Sequence, residues 1–156
     1  MISNKFVRVP AYYMIPDGKG DWLSNGVLIY ESKRYNARIV VPSGEINDLA
    51  SIPRLFRRIF SINGPTRPAA ALHDYLYKSK GLDGTFTRKQ CDRMFLDAML
   101  SKKVDFWEAY PSYVRNYLKK YPGIEKIFKS NKPLVSKFVA NVMFKAVRLG
   151  GGSHFQ

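Results

Sequence analysis

Cysteine is nearly absent from this sequence. The single one, Cys91, leaves no internal disulfide framework and fits synthesis in a reducing compartment. It falls on an apolar helical face and reads as a small core residue rather than a reactive thiol. No apolar run is long enough to cross a bilayer, and the stretch from Met1 to Pro10 lacks the apolar segment of a signal peptide. Phosphate-binding and dinucleotide-binding glycine patterns, zinc-ligand spacings, a nucleophile elbow and internal repeats are missing as well. Acidic residues are scarce: 12 against 26 Lys and Arg leave a net charge of +14. That balance predicts attraction to a polyanion, whether nucleic acid, an anionic bilayer or an acidic protein partner.

The 156 residues suffice for one domain with a real core, and 46% hydrophobic content with ten Tyr and ten Phe argues against general disorder. The first fifty residues are rich in strand and turn signals. Phe6-Val7-Arg8-Val9 alternates briefly before Pro10, Pro16, Gly18 and Gly20 break the chain. Val27–Tyr30 and Ala37–Val41 read as neighbouring strands, the second ended by Pro42-Ser43-Gly44. In the next stretch, Asp48 either caps a turn through the amides of residues 50 and 51 or projects toward a site. Arg54, Arg57 and Arg58 then line a short helical segment, as a solvated face or as phosphate contacts.

The most informative stretch is Arg67 to Tyr77. Pro68 opens a helix that runs to about Lys80 and stops at Gly81. Ala70, His73, Asp74 and Tyr77 share one face of it, so an imidazole, a carboxylate and a phenol converge. Thr87 and Gln90 form a capping box for the following helix, which carries Cys91, Met94, Phe95, Ala98 and Met99 at core spacing. Asp92 lies at the border of that face and must be paired or exposed. A short αα-hairpin brings it back toward His73. Asp97 falls elsewhere on the helix and is expected in solvent. A His with two carboxylates serves general-base chemistry, cation binding, or a buried hydrogen-bonded anchor between helices.

From Ser101 onward the chain is helical and basic, with eleven Lys or Arg against three acids. Tyr113, Tyr117 and Tyr121 recur at four-residue spacing among Arg115, Lys119 and Lys120. This is a packing stripe with basic solvent faces or, in a sharper reading, a platform for stacked bases. After Pro133 an amphipathic helix sets Leu134, Val135, Phe138, Val139, Val142, Met143, Ala146 and Val147 against Lys137, Lys145 and Arg148. Such a helix docks on its own domain, docks on a partner or lies on an anionic membrane. Residues 150–156 read as a flexible tail.

Three of these segments, Asp48–Arg54, Ala70–Tyr77 and Asp92–Met99, resemble the ordered motifs of the phage and prophage family known as domain of unknown function 1353. The resemblance covers roughly Val40 to Lys103 and implies a phage origin without lending an activity. A looser one is to phospholipase A2, above all the form carried in parvovirus capsids, where a helix bears His-Asp-x-x-Tyr and an antiparallel helix supplies a second Asp. That resemblance implies His73 as the base that activates water and Asp92 as the group fixing its tautomer. It further implies Tyr77 as a support for Asp92 and Asp74 as a Ca²⁺ ligand; Asp48, read from its own place in the chain and not from the resemblance, is a weaker metal candidate. Two departures stand out: the disulfides are missing, and only Asn63-Gly64-Pro65 represents the glycine-rich calcium loop.

The expectation is therefore an α+β protein with a small N-terminal antiparallel sheet on a central αα-hairpin and a basic helical C-terminal extension. Residues 1–103 form the compact part, 104–149 the extension and 150–156 the tail. The leading functional expectation is a phage accessory protein, a virion or assembly component with a cationic docking surface. That surface comprises Arg54, Arg57, Arg58, Arg115, Lys119, Lys120, Lys137 and Lys145, and meets phage structural proteins, membrane or nucleic acid. The alternatives are a phospholipase A2-like esterase, the only reading that calls for Ca²⁺, and a nucleic-acid-binding protein. The protein is expected to be made in the host cytoplasm and carried into the virion.

Overall fold

The computed structural model describes residues 3–16, 19–48 and 66–155. Its architecture is α+β, as the sequence predicts. Strands β1 (Lys5–Arg8), β4 (Leu28–Ser32) and β5 (Ala37–Val41) form an antiparallel sheet in the order β1-β4-β5. The expected neighbours are a hairpin, with Leu28 opposite Val41 and Ser32 opposite Ala37. Alternation decides the buried face: Phe6, Leu28, Tyr30, Ile39 and Val41 all point into the core. A second antiparallel sheet joins β2 (Ala11–Met14), β3 (Trp22–Asn25) and β6 (Ile46–Asn47) in the order β2-β3-β6. The prolines and glycines that break the chain here bound these short strands instead of replacing them.

Helix α1 (Arg67–Lys78) carries Pro at its start, where a missing N–H costs nothing. Helix α2 (Arg88–Met99) opens on Thr87, whose hydroxyl accepts from the Gln90 amide while the Gln90 side chain accepts from the Thr87 amide. Cys91, Met94, Phe95, Ala98 and Met99 are all buried, as their spacing requires. The link between the two helices is tight. Lys80, Gly81, Leu82, Asp83 and Gly84 all take positive φ, so the chain turns left-handed through the whole link. At Gly81 a Cβ would lie 1.8 Å from the Phe86 carbonyl oxygen, so only glycine fits.

Asp97 departs from expectation. It is 7% exposed and takes two hydrogen bonds from Arg34, at 2.7 Å from Nε and 3.1 Å from Nη2. Arg34 comes from the β4–β5 turn, which folds over the helix and supplies the counter-charge a buried carboxylate needs.

Helix α3 (Lys103–Ala109) packs on β1, and the Val9 amide donates to the Ala109 carbonyl at 2.8 Å. Helices α4 (Ser112–Leu118) and α5 (Ile124–Phe128) follow on the surface. The tyrosine stripe is not a packing surface: Tyr113, Tyr117 and Tyr121 are each at least half exposed. Helix α6 (Lys137–Gly150) docks on α2 through Ala140, Met143, Ala146 and Val147. A 3₁₀ turn, Gly151–His154, follows, and Phe155 sets its ring edge-on against Tyr77.

Candidate functional site

Antiparallel packing of α1 on α2 is what builds the site. His73 and Tyr77 lie one turn apart on α1, and Asp92 enters from the second turn of α2. His73 Nε2 lies 2.8 Å from Asp92 Oδ1, and the Tyr77 hydroxyl donates to the same oxygen at 2.5 Å. The imidazole is held between two rings, Tyr77 at 4.1 Å and Phe95 at 4.7 Å between centroids. His73 and Asp92 are completely buried, and Asp74 is buried beside them. The convergence read from the hairpin is thus present among His73, Tyr77 and Asp92.

The other Asp92 oxygen faces cations. Arg148 Nη1 donates to Oδ2 at 2.7 Å, and Arg88 Nε stands 4.0 Å from it. Arg88 also donates to the Tyr77 hydroxyl at 3.2 Å and, through Nη2, to the carbonyls of Val147 and Arg148 at the C-terminal end of α6. The carbonyls at a helix C-terminus carry partial negative charge, so a guanidinium suits them electrostatically; the Val147 carbonyl also accepts from the Gly151 amide. One arginine therefore ties α2 to α6 while a second passes back from α6 to Asp92. Gly151 allows this closure, since a Cβ there would stand 3.0 Å from the Tyr77 hydroxyl.

Burial pushes the Asp92 carboxyl upward, but the hydrogen bonds from His73, Tyr77 and Arg148 outweigh it and hold the group below the usual carboxylate range. Asp92 is thus an anion at neutral pH. Burial, then the bond to that anion, raises the Tyr77 phenol, which stays a donor. The Cys91 thiol is pushed up to about 12, chiefly by burial and then by Asp92, which makes it inert in the folded protein. Since an anionic carboxylate only accepts, His73 Nε2 is the donor in its contact with Asp92.

Arg88 and Arg148 were not legible as partners of Asp92. Arg88 had a signal, since it precedes Asp92 by four residues on one helix. Arg148 sits at the border of the amphipathic pattern, where the helical wheel places it outside. Its long stem carries the guanidinium inward instead.

Asp48 is half-buried at the end of β6. Arg54, Arg57, Arg58 and the Asn63-Gly64-Pro65 turn lie outside the described residues. Among the described residues no three His, Cys, Asp or Glu side chains converge as a metal site. Of the remaining basic candidates, Arg115 is half-buried and pairs with Glu108 at 2.9 Å, while Lys119, Lys120, Lys137 and Lys145 are exposed. Among the described residues, no helix is long and apolar enough to cross a membrane.

The chain matches the family described as "Protein of unknown function (DUF1353)" over residues 24–115, from within β3 into α4. No curated protein and no solved structure matches it. His73, Asp74, Tyr77, Arg88 and Asp92 fall inside the matched span, whereas Arg148 and the whole of α6 fall beyond it. The chain belongs to the DUF1353 family.

Proposed function

We propose that this protein is a hydrolase whose base is His73, with a carboxylic ester of the phospholipid class as substrate. The observation that carries the reading is the bond from His73 to a buried, anionic Asp92 that is itself held by Tyr77. In the mechanism, the His73 imidazole takes a proton from water as the water oxygen attacks the ester carbonyl. Asp92 positions the ring and stabilises the imidazolium that forms, and Tyr77 and Arg148 hold Asp92 in turn. The proton then passes to the leaving alkoxide, which departs as an alcohol beside the free acid. Ca²⁺ takes six to eight oxygen ligands, and among the described residues Asp74 is the one donor that the phospholipase resemblance assigns. No step is therefore routed through a cation. The His73 ring has no solvent exposure, so turnover on this reading requires its cover to open to substrate.

The test is release of fatty acid from phospholipid by the full chain and by His73→Ala, with circular dichroism showing that both are folded. Hydrolysis that disappears in the variant supports the proposal. No hydrolysis by the wild type, or an equal rate in the variant, removes it.

A second reading is favoured by the tyrosines that stay in solvent. Tyr113, Tyr117 and Tyr121 stand exposed beside Lys119 and Lys120, whose Nζ lies 5.6 Å from the Tyr117 ring in the case of Lys120. This surface suits a phage-encoded virion or assembly component that docks through cationic and aromatic side chains. Such a protein stays with purified particles, and loss of residues 124–156 weakens the association. Recovery only as free protein from infected cells counts against it. Affinity for nucleic acid that falls steeply with salt would move the partner to that class.

A further inference from the structure

Helix α6 has two working faces. The inner one packs Ala140, Met143, Ala146 and Val147 on α2 and sends Arg148 to Asp92. The outer one bears Phe138 and Leu149, 78% and 90% exposed, the two most exposed large apolar side chains among the described residues. Sequence spacing aligns them. Lys145 is seven residues past Phe138 and Leu149 eleven, so at 3.6 residues per turn all three project within about 20° of one direction. They form a line about 16 Å long on the surface, with exposed Lys137 adjoining Phe138.

We infer that this face of α6 docks the protein on an anionic lipid bilayer. Charge complementarity selects an anionic partner: residues 101–156 carry eleven cations against three anions. The apolar pair then selects among anionic partners. A nucleic acid rewards cations and stacked rings, and an exposed leucine gains nothing from phosphates. A bilayer interface rewards both side chains, each by roughly tenfold in partition when its exposed surface leaves water, while the flanking lysines meet anionic headgroups. The arrangement is that of a helix lying in the interfacial plane, with its packing side turned to the protein. Because Arg148 leaves the same helix toward Asp92, docking anchors at the lipid surface an element that is tied by one ion pair to Asp92. The inference goes beyond the hydrolase reading and stands without it, since docking needs neither His73 nor turnover.

Sedimentation with vesicles of ether-linked phosphatidylcholine, with and without ether-linked phosphatidylglycerol, tests it. These lipids have no acyl ester, so hydrolysis plays no part. The full chain is expected to sediment with the anionic vesicles and to remain largely free with the zwitterionic ones. The double variant Phe138→Ser/Leu149→Ser is expected to lose more than tenfold in binding at every salt concentration. Lys137→Gln/Lys145→Gln is expected to lose several-fold at low salt and little at high salt. Both pairs are exposed, so the fold survives. The inference is overturned if the wild type ignores anionic vesicles, or if the Phe138/Leu149 double variant binds them unchanged. It is equally overturned if those two substitutions abolish self-association or duplex DNA binding while vesicle binding is absent.

Discussion

Replacing Arg148 with methionine probes the link between the C-terminal helix and the site. Methionine keeps most of the apolar stem and removes the guanidinium that meets Asp92 Oδ2 at 2.7 Å. A hydrogen bond to a charged group contributes about 1.5–3 kcal/mol. Asp92 is fully buried, which favours the upper end, but the Arg148 side chain is 34% exposed and its half of the pair is screened. The expected loss is therefore about 1.5 kcal/mol at neutral pH. In a chain of this size that corresponds to a fall of roughly 3–6 °C in Tm.

The pH dependence carries a sign. Asp92 is depressed in the folded protein, so its contribution is complete above the unfolded carboxylate pKa and is lost as pH falls through the folded one. Removing Arg148 raises the folded pKa of Asp92. The gap between wild type and Arg148→Met should then be largest at neutral pH and close under acid. Urea unfolding at a series of pH values measures it. Equal midpoints at neutral pH, or a gap that widens on acidification, would refute the reasoning.

Other outcomes follow from the same geometry. Gly81→Ala places a methyl against the Phe86 carbonyl at a positive φ and should cost about 2 kcal/mol or more by chemical denaturation. Lys80→Gly, in the same left-handed turn, should be neutral or stabilising by up to about 1 kcal/mol in that assay. Gly151→Ala crowds the Tyr77 hydroxyl and should lower Tm by a few degrees, with near-ultraviolet dichroism reporting the displaced tyrosine. Cys91, with its thiol pushed up to about 12, should resist thiol reagents at mildly alkaline pH and react fully in denaturant.

Local signals carried much of the architecture. The β4–β5 hairpin could be read from two apolar runs and the breakers between them. The start of α2 could be read from Thr87 and Gln90, because a capping box is satisfied within four residues. The meeting of His73, Tyr77 and Asp92 followed from helix periodicity and one short hairpin. What escaped depends on distant partners. Asp97 looks like a surface acid until Arg34, 63 residues away, folds over it. Arg148 joins Asp92 across 56 residues, and no spacing rule reaches that far. The second sheet escaped because β2 and β3 are four residues each among prolines and glycines, and β6 is only two. The tyrosine stripe has core periodicity, yet no element among the described residues covers it, and periodicity alone cannot supply the covering element.

The central claim is that His73 acts as a base positioned by Asp92. Its most direct test is the rate of phospholipid ester hydrolysis in three folded proteins: wild type, Asp92→Asn and His73→Ala. The account predicts activity in the wild type and none above background in His73→Ala. Asp92→Asn should fall about a hundredfold or more, because an amide no longer fixes the tautomer or stabilises the imidazolium. Hydrolysis that persists unchanged in His73→Ala would contradict it.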